Sequence, residues 1–86
     1  MSTTNFQKSE NPVGVPIALS ADEVALLLGI SRAHVWRLAS SGRLPRPVRF
    51  GRAVRWDRRN IQDWLAAGAP PRDRWEAMRR AERSSL

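Results

Sequence analysis

Eighty-six residues and 9.7 kDa suffice for one small domain with tails and exclude a large enzyme, because a second core of ordinary size has no room. Hydrophobic residues at 42% and charged residues at 27% are ordinary globular usage, so a folded core is expected. The 15 basic and 8 acidic side chains leave +7, and every basic residue except Lys8 is an arginine, whose rigid guanidinium fork suits phosphates and guanine edges. A nucleic-acid partner is the leading expectation, and a solvated basic surface is the plainer alternative.

Counting removes other classes. With no cysteine and a single histidine, His34, a disulfide scaffold, a thiol nucleophile and a zinc cluster are excluded, and neither metal nor cofactor is expected. The longest apolar run, Val24 to Leu28, is far shorter than a membrane span, so a cytoplasmic, nucleoid-associated protein with no membrane partner is expected. The charge is also concentrated. Residues 1–30 carry Lys8 against Glu10, Asp22 and Glu23, a net of −2, and residues 60–86 carry five arginines against four acids. Ser31 to Arg59 hold nine arginines and Asp57, a net of +8, which predicts one basic face. An anionic membrane wants a basic amphipathic helix, and Gly42, Pro45, Pro47 and Gly51 interrupt this stretch.

In chain order, residues 1–16 are polar and proline-containing without periodicity, and read as a mobile arm. Ser20-Ala21-Asp22-Glu23 is a capping box that starts a first helix, with Val24, Leu27 and Leu28 as its buried stripe and Gly29 as its stop. Ser31 caps a second helix over Arg32 to Ser40 or Ser41, ended by Gly42. Stepping about 100° per residue buries Val35, Leu38 and Ala39 and turns Ala33, His34, Arg37, Ser40 and Ser41 outward. Two short helices joined by a tight glycine turn, the second with a small, polar and basic outer face, match the helix-turn-helix that places its second helix in the major groove.

Leu44-Pro45-Arg46-Pro47 is extended. Val48, Phe50, Val54 and Trp56 alternate with Arg49, Ala53 and Arg55 around Gly51-Arg52, predicting a type II′ hairpin with one apolar face. The other face and the tip then offer Arg49, Arg52 and Arg55. Asp57 caps a third helix, Arg58 to Ala67, with Ile61, Trp64 and Leu65 inward, and Gly68 and Pro70-Pro71 stop it. Arg72 to Arg83 has helical composition, with Trp75, Met78 and Glu82 on one side and a Glu76 to Arg80 pair at i, i+4. Its apolar face is thin, and docking on the core, pairing with another protein and fraying all remain open.

Leu19 to Ala67 resembles the small AlpA-like and excisionase-like helix-turn-helix proteins of the MerR superfamily. The resemblance rests on Gly29-Ile30-Ser31, Gly42-Arg43-Leu44-Pro45, Phe50-Gly51-Arg52, Arg55-Trp56 and Ile61-Gln62-Asp63-Trp64-Leu65. Trp36 departs from the tyrosine usual at its position, and both packing under the wing and reaching the DNA backbone stay open for it. The resemblance implies a mainly α fold with a small β-hairpin, a winged helix-turn-helix. With the polar arm and the Gly68 to Pro71 break, the chain divides into an arm over 1–16, a DNA-binding domain over 17–68, and a linker with a helical tail over 69–86. The resemblance also implies duplex DNA as partner, with the second helix in the major groove and the hairpin on the adjacent backbone or minor groove.

Within that frame, Arg37 at the centre of the outer face is the candidate for a bidentate contact to guanine, flanked by Arg32, Ala33, His34 and Ser41. Arg49, Arg52 and Arg55 form the wing's contact set, and Arg43, Arg46, Arg58 and Arg59 are candidates for phosphates, with simple solvation the alternative for the last two. Trp56 and Trp64 are assigned to the core rather than to base stacking. No nucleophile, base and pocket coincide, so no enzyme is expected: Ser31 and Asp57 are explained as caps, and Asp63 lies on the solvent side of its helix.

Relatives of this kind are excisionases, which bind repeated sites and bend DNA to direct an integrase, or small transcriptional regulators. The excisionase reading is preferred, with a tyrosine or serine recombinase as integrase partner and cooperative self-association on DNA, because the 86 residues are spent on DNA contact with none left for ligand sensing. The regulator is the alternative. An interaction module acting through Trp75 and Met78 is a reading of another class. Under the DNA-binding readings, removal of Arg72 to Leu86 is expected to spare binding.

Overall fold

A computed structural model of the chain describes residues 16–84, so the arm expected over 1–16 lies outside the described residues except for Pro16. The elements are β1 (Ala18–Leu19), α1 (Ala21–Leu28), α2 (Arg32–Ser40), β2 (Val48–Phe50), β3 (Ala53–Asp57), α3 (Arg58–Ala66) and α4 (Arg72–Ser84). Among the described residues, four helices and a small antiparallel sheet in the order β1-β3-β2 make a winged helix-turn-helix.

Local chemistry sets each helix end. Glu23 N–H donates to the Ser20 hydroxyl at 3.2 Å and Ser20 N–H to the Glu23 carboxylate at 2.8 Å, the reciprocal capping box. Ser31 accepts the His34 N–H at 3.0 Å, and Asp57 accepts those of Arg59 and Asn60. At the far end of α2, Arg43 N–H reaches the Leu38 carbonyl at 2.8 Å and Gly42 N–H that of Ala39 at 3.3 Å, a Schellman closure. It requires Gly42 at φ 74°, where a Cβ would find open space but the backbone would be strained. Gly42→Ala is therefore expected to cost about 1 kcal/mol, read as a lower urea midpoint with unchanged slope.

The core joins Leu19, Val24, Val35, Leu44, Trp56 and Ile61, all buried, to Trp64 and Trp75. Each of the core indole N–H groups has a partner: Trp56 donates to the Pro45 carbonyl at 2.9 Å, Trp64 to that of Pro70 at 2.8 Å, and Trp75 to Asn60 Oδ1 at 3.0 Å. Two expected core residues sit further out. Leu27 is 40% exposed and Leu65 53%, while Ala21 and Ala25 complete the buried face of α1. Ala21, Val24, Ala25 and the half-buried Leu28 form one stripe at i, i+3, i+4 and i+7, which leaves Leu27 off the buried face.

The two-stranded hairpin becomes part of a three-stranded sheet, because Ala18 and Leu19 pair with Asp57 and Trp56 on the far edge of β3. The turn has the expected type: Gly51 sits at φ 63°, and Ala69 is the sole non-glycine with positive φ among the described residues. The expected apolar face does not form. Across a two-residue turn Phe50 pairs with Ala53, Arg49 with Val54 and Val48 with Arg55, and directly paired residues point to the same side. Val54 and Trp56 therefore share one side of the sheet with the exposed Arg49, while Val48 and Phe50 share the other with Arg55 and remain 49% and 57% exposed. Alternation carried through the turn without this change of parity puts β2 the wrong way round.

Helix α4 docks on the core. Trp75 is 4% exposed and so is unavailable as an anchor for a protein partner. The turn before α4 holds Ala69 at φ 54°, and it brings Pro71 and Arg72 back against the end of α2, where Arg72 N–H donates to the Gly42 carbonyl at 3.0 Å. The Arg72 guanidinium then donates to the Leu44 carbonyl at 2.8 Å and the Ala39 carbonyl at 3.0 Å. A cation on the C-terminal carbonyls of a helix satisfies orphan acceptors and complements the helix dipole. The carboxylate of Glu76 pairs with Arg46 at 3.1 Å rather than with Arg80.

Candidate nucleic-acid interface

Helix α2 is held on three sides. Ser31 fixes its start, Val35 is buried beneath it, and Arg72 closes its end, leaving Ala33, Arg37, Ser40 and Ser41 outward as expected. Arg37 is exposed and makes no ion pair with a described carboxylate, so its guanidinium is available to an incoming ligand. His34 is half-buried, Ala33 beside it is exposed, and Arg32 pairs with Asp22 at 3.3 Å across two exposed side chains. Such a surface pair contributes little and exchanges readily for a phosphate. Ser41 lies at the C-cap with its hydroxyl donating to the Leu38 carbonyl at 3.2 Å, at the opposite end from the N-terminal residues that usually meet base edges.

The hairpin stands beside α2 and encloses two open grooves with it. One brings Arg32 of α2 together with Arg52 and Arg55 of the wing. The other, about 440 Å³, gathers Arg46, Arg49 and Arg72 with Trp36. Trp36 lines both. Its ring meets that of Trp56 edge-on, 5.6 Å between centroids and 63° between planes, so it packs under the wing while 39% of it stays exposed.

The parity of the hairpin divides the wing set. Arg49 belongs to the inner face and Arg55 to the outer, where its guanidinium donates to the Val54 carbonyl at 2.9 Å. Arg52 occupies the exposed tip. Arg43 is exposed just beyond α2, and Arg58 and Arg59 open α3, Arg58 half-buried with its N–H on the Ile17 carbonyl at 2.8 Å. Arg46 is tied to Glu76. The residue missed in the sequence is Arg72: nothing local announces a side chain that reaches carbonyls 28 and 33 positions away.

No helix among the described residues is long and apolar enough to cross a membrane, and no described group of His, Cys, Asp or Glu could hold a metal ion. Comparison with curated proteins and with solved structures finds no significant match. A family model does match: a helix-turn-helix domain, a DNA-binding family, over residues 18–69. The match runs from β1 through the hairpin and α3 to the turn before α4, well over half of the chain. With the fold and the exposed basic face of α2 in agreement with it, the chain belongs to the helix-turn-helix domain family.

Proposed function

We propose that the protein reads duplex DNA sequence-specifically, with α2 in the major groove and the hairpin wing along the neighbouring backbone or minor groove. The observation that carries this reading is the outward face of α2, where Arg37 is exposed and unpaired among the described carboxylates, on a helix that shares two arginine-lined grooves with the wing. Arg37 is the base reader, with Arg32, Ala33 and His34 at the start of the helix and Ser41 at its end as flanking contacts. Arg43, Arg49, Arg52, Arg58 and Arg59 serve phosphates; Arg55 joins them on releasing the Val54 carbonyl, and Arg46 joins them through the guanidinium nitrogens that Glu76 leaves open.

At least five phosphate contacts make affinity fall by at least about 500-fold between 50 and 200 mM salt. Titration of labelled duplex and of single strands across that range tests the reading. Equal affinity for both, insensitive to salt, overturns it.

The role we favour is that of an excisionase of the AlpA-like and excisionase-like kind, binding repeated sites cooperatively and bending DNA for an integrase. Its support is the resemblance carried by Gly42 to Pro45, Phe50 to Arg52 and Ile61 to Leu65. One reading head gives modest affinity, which favours cooperative binding to adjacent sites. An excision assay with a cognate integrase decides it: a requirement for the protein supports the excisionase, whereas unchanged excision with altered transcription of a neighbouring promoter makes it a regulator.

A further inference from the structure

We infer that α4 carries a second phosphate-binding surface, formed by Arg80 and Arg83 beside Arg46, which takes the sugar-phosphate backbone of duplex DNA beyond the wing. The inference rests on the DNA-binding reading above and enlarges its footprint to a helix beyond the matched family domain.

Glu76, Arg80 and Arg83 recur at i, i+4 and i+7 along α4, on one face. That face lines an open groove of about 420 Å³ shared with Arg46, Asp57 and Asn60. The two acids in the groove are already engaged. Glu76 binds Arg46 at 3.1 Å, and Asp57 caps α3 through the N–H groups of Arg59 and Asn60. Arg80 and Arg83 are exposed and make no ion pair with a described carboxylate, and with Arg46 and Arg79 against Asp57 and Glu76 the lining of the groove stays net positive.

What gives these charges a direction is Arg46. It lines this groove and also the groove between α2 and the hairpin, next to Arg49. The basic strip is therefore continuous from the wing to α4, and a polyanion lying along Arg49 and Arg46 runs on to Arg80 and Arg83. A duplex backbone has the required length and charge density, whereas a single small anion would meet only one end of the strip. Glu76 holds Arg46 at the junction of the two grooves, and Trp75 fixes α4 against the core, so the surface is preformed.

The test is the salt dependence of duplex binding by the full-length chain, wild type against the double variant R80A/R83A. Both sites are exposed helix positions where Ala favours the helix, so folding is retained. The slope of log affinity against log salt should become shallower by about 1.8, with at least about a tenfold loss of affinity at 0.1 M salt and unchanged preference among duplex sequences. Stepwise shortening of the duplex from one end should abolish the difference between wild type and variant. Arg74→Ala, an exposed α4 arginine outside this groove, should leave the slope as it is. An equal change from Arg74→Ala makes the effect diffuse charge and overturns the proposal. Normal duplex binding by wild type and R80A/R83A alike overturns it too and leaves the DNA-binding reading intact. No duplex binding by wild type overturns both, and a slope unchanged on DNA with loss of binding to an acidic polypeptide reassigns the surface to a protein partner.

Discussion

Trp75→Ala is expected to remove about 3–5 kcal/mol of folding stability, as large-to-small changes of a buried aromatic do. For a domain this small, total stability lies near the low end of the usual range, about 5 kcal/mol, so the variant keeps no more than about 2 kcal/mol and up to about half of it is unfolded at 25 °C. Ending the chain after Pro71 should be worse, because it removes Trp75, the Arg72 guanidinium on the Ala39 and Leu44 carbonyls, and the ion pair from Glu76 to Arg46. Urea unfolding followed by tryptophan fluorescence measures both. A midpoint for Trp75→Ala equal to that of wild type would show that α4 is a tail after all. The sequence suggested that Arg72 to Leu86 could be removed without harm to DNA binding; the docking of α4, Arg72–Ser84, makes that helix a structural support of α2.

Arg37→Ala should act on specificity rather than on folding. A bidentate arginine to guanine is worth about 1–3 kcal/mol of discrimination, so preference for the target over a duplex changed at that base pair should fall by roughly 5- to 150-fold. The salt slope should change by no more than about one phosphate equivalent, and the urea midpoint should stay where it is, since the side chain is exposed. Arg52→Ala at the wing tip provides the contrast: all duplexes weaken together, with their ranking preserved. Binding selection from a randomised duplex pool, run on the three proteins in parallel, separates these outcomes. Identical selected sequences for wild type and Arg37→Ala would remove Arg37 from the reading role.

The parts readable in advance were those fixed by residues within about four positions of each other. Ser20 with Glu23, Ser31, Asp57, Gly29 and Gly42 mark helix ends through bonds that close locally, so three helices and their order follow from the text alone. Strand β1 was not visible, because two residues carry no periodicity and Ala18 and Leu19 become a strand only when Asp57 and Trp56 lie beside them. The outward Val48 and Phe50 were misassigned by a parity that only the turn determines. Glu76 had a sequence neighbour in Arg80 but a nearer spatial partner in Arg46, thirty positions away. For the interface, the basic outer face of α2 was evident from helical spacing, whereas its closure by Arg72 and its continuation through Arg46 depend on long-range packing.

The aromatic composition has an optical consequence. The chain has four tryptophans and no tyrosine, and three of the four are sealed in the core with their N–H groups bonded. Trp36 alone meets solvent, and it does so between the two grooves that flank α2. The red edge of the intrinsic emission therefore belongs to one ring at the junction of helix and wing. Occupancy of that junction can be followed in the unlabelled protein while the three buried indoles report separately on whether the fold beneath it is intact.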